Sequence, residues 1–145
     1  MLALVSAIPL IYAHSVQVPW SDIHDTSGWA WVGAVDYQVQ NGNFNTRSEH
    51  QCGILNETGG DIGIRVGYDH KILRNGQVVE NDDYSQALTV ENNEYFTTSD
   101  VPGHYVRSAS TPVGPGNYTF DAYTLIAYRG NAQAKATHPT VDLED

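Results

Sequence analysis

Six histidines (His14, His24, His50, His70, His104 and His138) and a single cysteine, Cys52, are the side chains of this 145-residue chain best able to ligate a transition metal or carry a proton. His50 and Cys52 stand two apart, so on an extended chain both point to one side, where an imidazole and a thiolate could share a metal. Asp69-His70 and His24-Asp25 are sequence neighbours; in a strand neighbours face opposite ways, which makes them poor acid–base dyads. The chain contains no G-x-S-x-G elbow, H-E-x-x-H, Walker A, C-x-x-C or Gly-rich dinucleotide loop. It is therefore expected to be non-catalytic, and any site must be assembled from separate strands.

Two metals are compatible with the residues. Cleavage after Ala13 would make His14 the first residue, offering its amine and a ring nitrogen to Cu(II), with a second histidine from another strand. In this respect the start His14-Ser15-Val16 resembles the lytic polysaccharide monooxygenases and the small copper-binding proteins that share their brace. The resemblance implies copper at His14, completed by His50, His70 or His104; the cystines common in those enzymes are missing. A blue-copper arrangement would need a His and usually a Met shortly after the Cys, and none follows Cys52 at such spacing. Calcium is the other candidate, because Asn81-Asp82-Asp83 and Glu91-Asn92-Asn93-Glu94 cluster oxygen ligands, although without EF-hand spacing. The competing reading of that acidic stretch is a solvated face.

Among the aromatics, Trp20 lies between Pro19 and Ser21 and is the expected contact for a glycan or protein ligand. Trp29 and Trp31 alternate with small residues in the most apolar strand and are expected in the core. Asn56-Glu57-Thr58 and Asn117-Tyr118-Thr119 match the N-glycosylation pattern.

These residues must be positioned by one domain with one core, a size that needs no covalent staple. One cysteine excludes a disulfide framework. With 7 basic and 17 acidic residues the net charge is −10, which leaves no basic stripe for nucleic acid. No Lys or Arg occurs in the first 46 residues, and the acidic excess lies between Gly76 and Asp121.

Met1 to Ala13 is apolar and uncharged but too short to span a membrane. Leu2, Leu4, Ile8, Leu10 and Tyr12 would share one side of an extended chain. The segment is read as a strand for the core or for assembly with a neighbour, or alternatively as a signal peptide lacking its basic start. Residues 14–130 form the expected folded domain, and 131–145 read as an acidic C-terminal tail.

Period-two alternation recurs from Val16 to Arg129, and no stretch sustains a helical period. Trp29, Trp31, Val35, Tyr37 and Val39 fall on one face of a strand by parity, with Ala30, Val32 and Ala34 on the other. A short strand is expected at Gln51 to Leu55. Asn75-Gly76 is the strongest hairpin signal. Eight or nine such strands predict an all-β antiparallel sandwich of immunoglobulin-like or jelly-roll kind. The leading functional expectation is a structural subunit of an extracellular filament, surface layer or virus particle, self-associating through strand contacts into a homo-oligomer or polymer. A secreted ligand-binding module and the copper-brace protein are the alternatives.

Overall fold

The computed structural model describes residues 11–12, 16–20, 26–98 and 105–143. It is an all-β sandwich of two antiparallel sheets, with eleven strands among the described residues. The first sheet contains β1 (Ile11–Tyr12), β2 (Val16–Trp20), β3 (Thr26–Gln40), β4 (Asn43–Asn56), β7 (Tyr95–Thr97) and β8 (Val106–Pro112). In it, β1 and β2 pair with one side of β3, while β7 and β8 pair with the far side of β4. The second sheet contains β5 (Ile62–Arg74), β6 (Gln77–Val90), β9 (Gly116–Tyr128), β10 (Gly130–Thr137) and β11 (Val141–Leu143). Its centre is the β5–β9 pair, flanked by β6 on one side and by β10 and β11 on the other. Among the described residues no helix is long and apolar enough to cross a membrane.

Two hairpins use Asn-Gly, whose residues accept the positive φ that matches strand twist. Asn75 and Gly76 (φ 52° and 82°) close β5 onto β6 as the sequence predicts, and Asn41 and Gly42 (φ 54° and 76°) likewise close β3 onto β4. The core follows alternation: Ile62, Ile64, Val66, Tyr68 and Ile72 from β5 meet Phe44, Cys52 and Ile54 from β4 and Tyr118, Phe120, Ala122 and Ile126 from β9.

Four expectations are corrected. The strand expected at Gln51 to Leu55 is the end of the much longer β4. Of the expected tail, residues 131–143 are not loose, because β10 alternates Ala132, Ala134 and Ala136 into the core against β9 and β11 also pairs with β9. The parity of β3 breaks at a bulge between Gly33 and Asp36, where one extra residue reverses the phase. Ala30 and Val32 are therefore buried before the bulge and Val35 after it, and Trp29 and Trp31 are turned outward instead of into the core. Lastly, Asn81-Asp82-Asp83 lies within β6, so Asp82 and Asp83 point to opposite faces instead of converging on calcium, while Glu91-Asn92-Asn93-Glu94 forms the turn that follows. Asp82 points across to the other sheet's edge, accepting from the Ser108 backbone N–H (3.1 Å) and from Arg107 (3.3 Å). An inward charge of this kind blunts both edges.

Candidate functional site

The outer face of the first sheet carries an aromatic depression. Trp29 and Trp31 project outward two residues apart on β3, and register sets Trp29 opposite Gly53 and Trp31 opposite Gln51 on β4. Gly53 in turn pairs with Thr97 of β7, which brings Tyr95 alongside. The Trp29 indole N–H donates to the Tyr95 hydroxyl at 2.8 Å. This bond passes directly over Gly53, where a Cβ would lie 2.6 Å from the Tyr95 oxygen and 2.7 Å from the indole nitrogen. A Cβ on Gly33 would likewise run into the Trp31 ring. Two glycines thus let two large rings lie flat on a sheet that would otherwise hold them off.

Trp29, Gln51, Thr97, Thr98 and Tyr105 line the depression, which has a volume of about 510 Å³. Tyr95 is 49% and Tyr105 40% exposed. Among the described residues no lining side chain is charged, although the chain as a whole carries −10.

The reverse side of the same strands is polar and closed. Thr46, Ser48 and His50 of β4, His70 of β5 and Thr124 of β9 are all buried, the two histidines completely. Ser48 Oγ lies 2.7 Å from His50 Nε2 and 2.6 Å from His70 Nδ1. His70 Nε2 lies 2.5 Å from Thr46 Oγ1, and His50 Nδ1 lies 2.9 Å from Thr124 Oγ1. Thr124 then donates to the Trp31 carbonyl at 2.9 Å. Burial lowers His50 to about 3, with the neighbouring His70 adding to the shift. Burial also lowers His70 to about 4, against an opposing pull from Asp82 and Asp121. Both imidazoles are neutral across the physiological range.

A serine between two histidines has the parts of a nucleophile and its base. Here no solvent or substrate reaches it, so it serves to join the sheets.

No family model matches the chain, and no curated protein matches it.

His50 and Cys52 share the inward face of β4, as their spacing predicts. His50 is nevertheless buried in the core, with both ring nitrogens engaged by hydroxyls. Cys52 is a buried thiol, raised in pKa by burial, with Tyr68 Oη and Thr98 Oγ1 each 3.8 Å from its sulfur. Among the described residues no group of three or more His, Cys, Asp and Glu side chains is placed to hold a metal. His14, His104, Leu2, Leu4, Ile8 and Leu10 lie outside the described residues, as do the side chains of Tyr12 and Trp20. The β1 backbone sets Tyr12 opposite Val35, at the bulge of β3.

Sequence reasoning missed Gln51, Tyr95, Thr97 and Tyr105 of the outer face and Thr46, Ser48 and Thr124 of the inner cluster. The readable signal for the inner cluster is polar alternation at Thr46, Ser48 and His50, continuing the inward row begun by Phe44. For the outer face it is Gly53, small and two residues from the amide side chain of Gln51.

Proposed function

We propose that the protein is a non-catalytic binding module, and that the outer face around Trp29, Trp31, Tyr95 and Tyr105 takes a neutral glycan. The observation that carries this reading is the Trp29–Tyr95 hydrogen bond over Gly53, which holds a partly exposed and an exposed ring flat beside uncharged Gln51 and Thr97. Ligand sites combine apolar and aromatic walls with a few oriented polar groups. A sugar ring matches that composition, since its C–H face packs on an aromatic ring while its hydroxyls reach amide and hydroxyl partners. The described lining residues are uncharged, which favours neutral sugars over uronic acids and phosphosugars. Titrating the full chain with soluble neutral glycans (glucans, xylans, mannans) while following tryptophan emission tests the assignment. The expected result is a saturable shift with at least one glycan, lost in Trp29→Ala. Emission indifferent to the whole panel would sink it.

A second reading is the assembly subunit of an extracellular filament, surface layer or virus particle. Its support is the apolar run that leads into β1, a strand that joins the first sheet at its β3 side. Sedimentation separates the two: concentration-dependent polymerisation that is lost on deleting residues 1–13 favours assembly, and a monomer at every concentration excludes it.

A further inference from the structure

The directions of the five hydrogen bonds in this cluster, four of which cross between the sheets, follow from counting protons. The Trp31 carbonyl only accepts, so Thr124 spends its hydroxyl proton there. Thr124 Oγ1 must then accept from His50, which places the His50 proton on Nδ1. His50 Nε2 is thereby an acceptor, and Ser48 donates its only proton to it. Ser48 Oγ must in turn accept from His70 Nδ1–H, leaving His70 Nε2 to accept from Thr46. The chain runs one way, Thr46 to His70 to Ser48 to His50 to Thr124 to Trp31. It satisfies every ring nitrogen only when both imidazoles are neutral and protonated at Nδ1.

The two ends respond differently to an added proton. At His70 the Thr46 hydroxyl can turn to the Ala109 carbonyl, 3.4 Å away, and accept the new Nε2–H. A proton at His50 asks for more: Ser48 must turn its own proton to His70 Nδ1 and His70 must move its proton to Nε2, and once both rings are charged Ser48 faces N–H groups from both with its own proton unplaced. We propose that this chain is an acid-sensitive latch between the two sheets, which accepts a first proton at His70 and parts when a second reaches His50.

The surroundings agree with that order. Asp82 on β6 and Asp121 on β9 act on His70 and favour its cation. His50 faces His70 on β5 and Arg107 on β8, both of which oppose a charge, and the Tyr68 ring at 5.5 Å, while the Tyr123 carbonyl on β9 favours it. Because both folded values lie below 6.5, the unfolded chain binds protons first. The latch therefore holds fully above pH 6.5 and weakens as pH falls toward 4 and then 3. Each histidine lowers the folding constant by up to about tenfold per unit within that window, or about a thousand-fold for the pair between pH 6.5 and 4.5. His138, lowered by burial, acts in the same direction, and Asp36, raised by burial, in the opposite one.

Long-range proton–nitrogen NMR on the full chain labelled with ¹⁵N-histidine tests the assignment. At pH 7 both rings should give protonated Nδ1 and bare Nε2 signals, and on acidification His70 should shift at higher pH than His50, with tertiary dispersion lost as His50 responds. An Nε2–H tautomer or a charged ring at pH 7, a His50 response ahead of His70, or full dispersion retained with both rings protonated would each overturn the latch.

Discussion

Strands β3 and β4 carry two regions back to back, and each reverses the usual sense of a sandwich strand. The inward side between Thr46 and His50 is polar, whereas the outward side at Trp29 and Trp31 is aromatic. Half-buried strands ordinarily turn apolar residues in and polar residues out. The inner reversal is tolerable because every polar atom in it has a partner. The outer reversal is tolerable because two glycines and one tyrosine seat the rings. The contrast assigns roles: the inner cluster has no contact with solvent and holds the sheets together, while the outer one leaves aromatic surface open to a ligand.

The strongest way to break this contrast is Ser48→Val. It removes the centre of the chain and strands His50 Nε2 and His70 Nδ1 in the core, at about 1–3 kcal/mol for each orphaned group. Urea unfolding should show a loss of about 2–6 kcal/mol, with glycan affinity per folded molecule unchanged. A loss below about 1 kcal/mol would mean that the chain contributes little.

Acid should act on the same side only. Lowering pH from 7 to 5 should lower the urea midpoint, since the two buried histidines favour the unfolded chain by about 1.4 kcal/mol per unit each below pH 6.5. A midpoint indifferent to pH in this range would contradict neutral, buried imidazoles.

Gly53→Ala tests the outer side. Its Cβ would displace both Trp29 and Tyr95, for about 1–3 kcal/mol of overpacking and at least a tenfold drop in glycan affinity. Calorimetric affinity equal to that of the parent chain would show that the Trp29–Tyr95 bond does not shape the site.

The smallest stability effect is expected for Trp29→Ala. The side chain is only partly buried, on the outer face, so thermal unfolding should report a change of about 1–2 kcal/mol, alongside complete loss of the tryptophan-reported binding. A large destabilisation with binding intact would reverse the assignment of the two faces.

Much of the scaffold was legible before the structure. The alternation of Ile62, Ile64, Val66, Tyr68 and Ile72 and of Tyr118, Phe120, Ala122 and Ile126 placed β5 and β9, and Asn75-Gly76 placed the hairpin that follows β5. The failures share one cause, which is that the hydrophobic signal was absent or displaced. Thr46, Ser48 and His50 carry no apolar period, so most of β4 was invisible. Ala132, Ala134 and Ala136 are small and weakly β-forming, so β10 read as a tail. The β3 bulge moved Trp29 and Trp31 to the face opposite the one parity assigned, and so the candidate site was misplaced with them.

By itself the sequence determined that the chain is all-β, sandwich-like, acidic and free of disulfides, because strand period, turn chemistry and charge are local properties of residues. Only the tertiary structure decided which side of β3 and β4 is inside. A single inserted residue inverts a period of two, and the hydrogen-bond partners that make a buried Ser48, His50 and His70 tolerable come from strands far away in the chain.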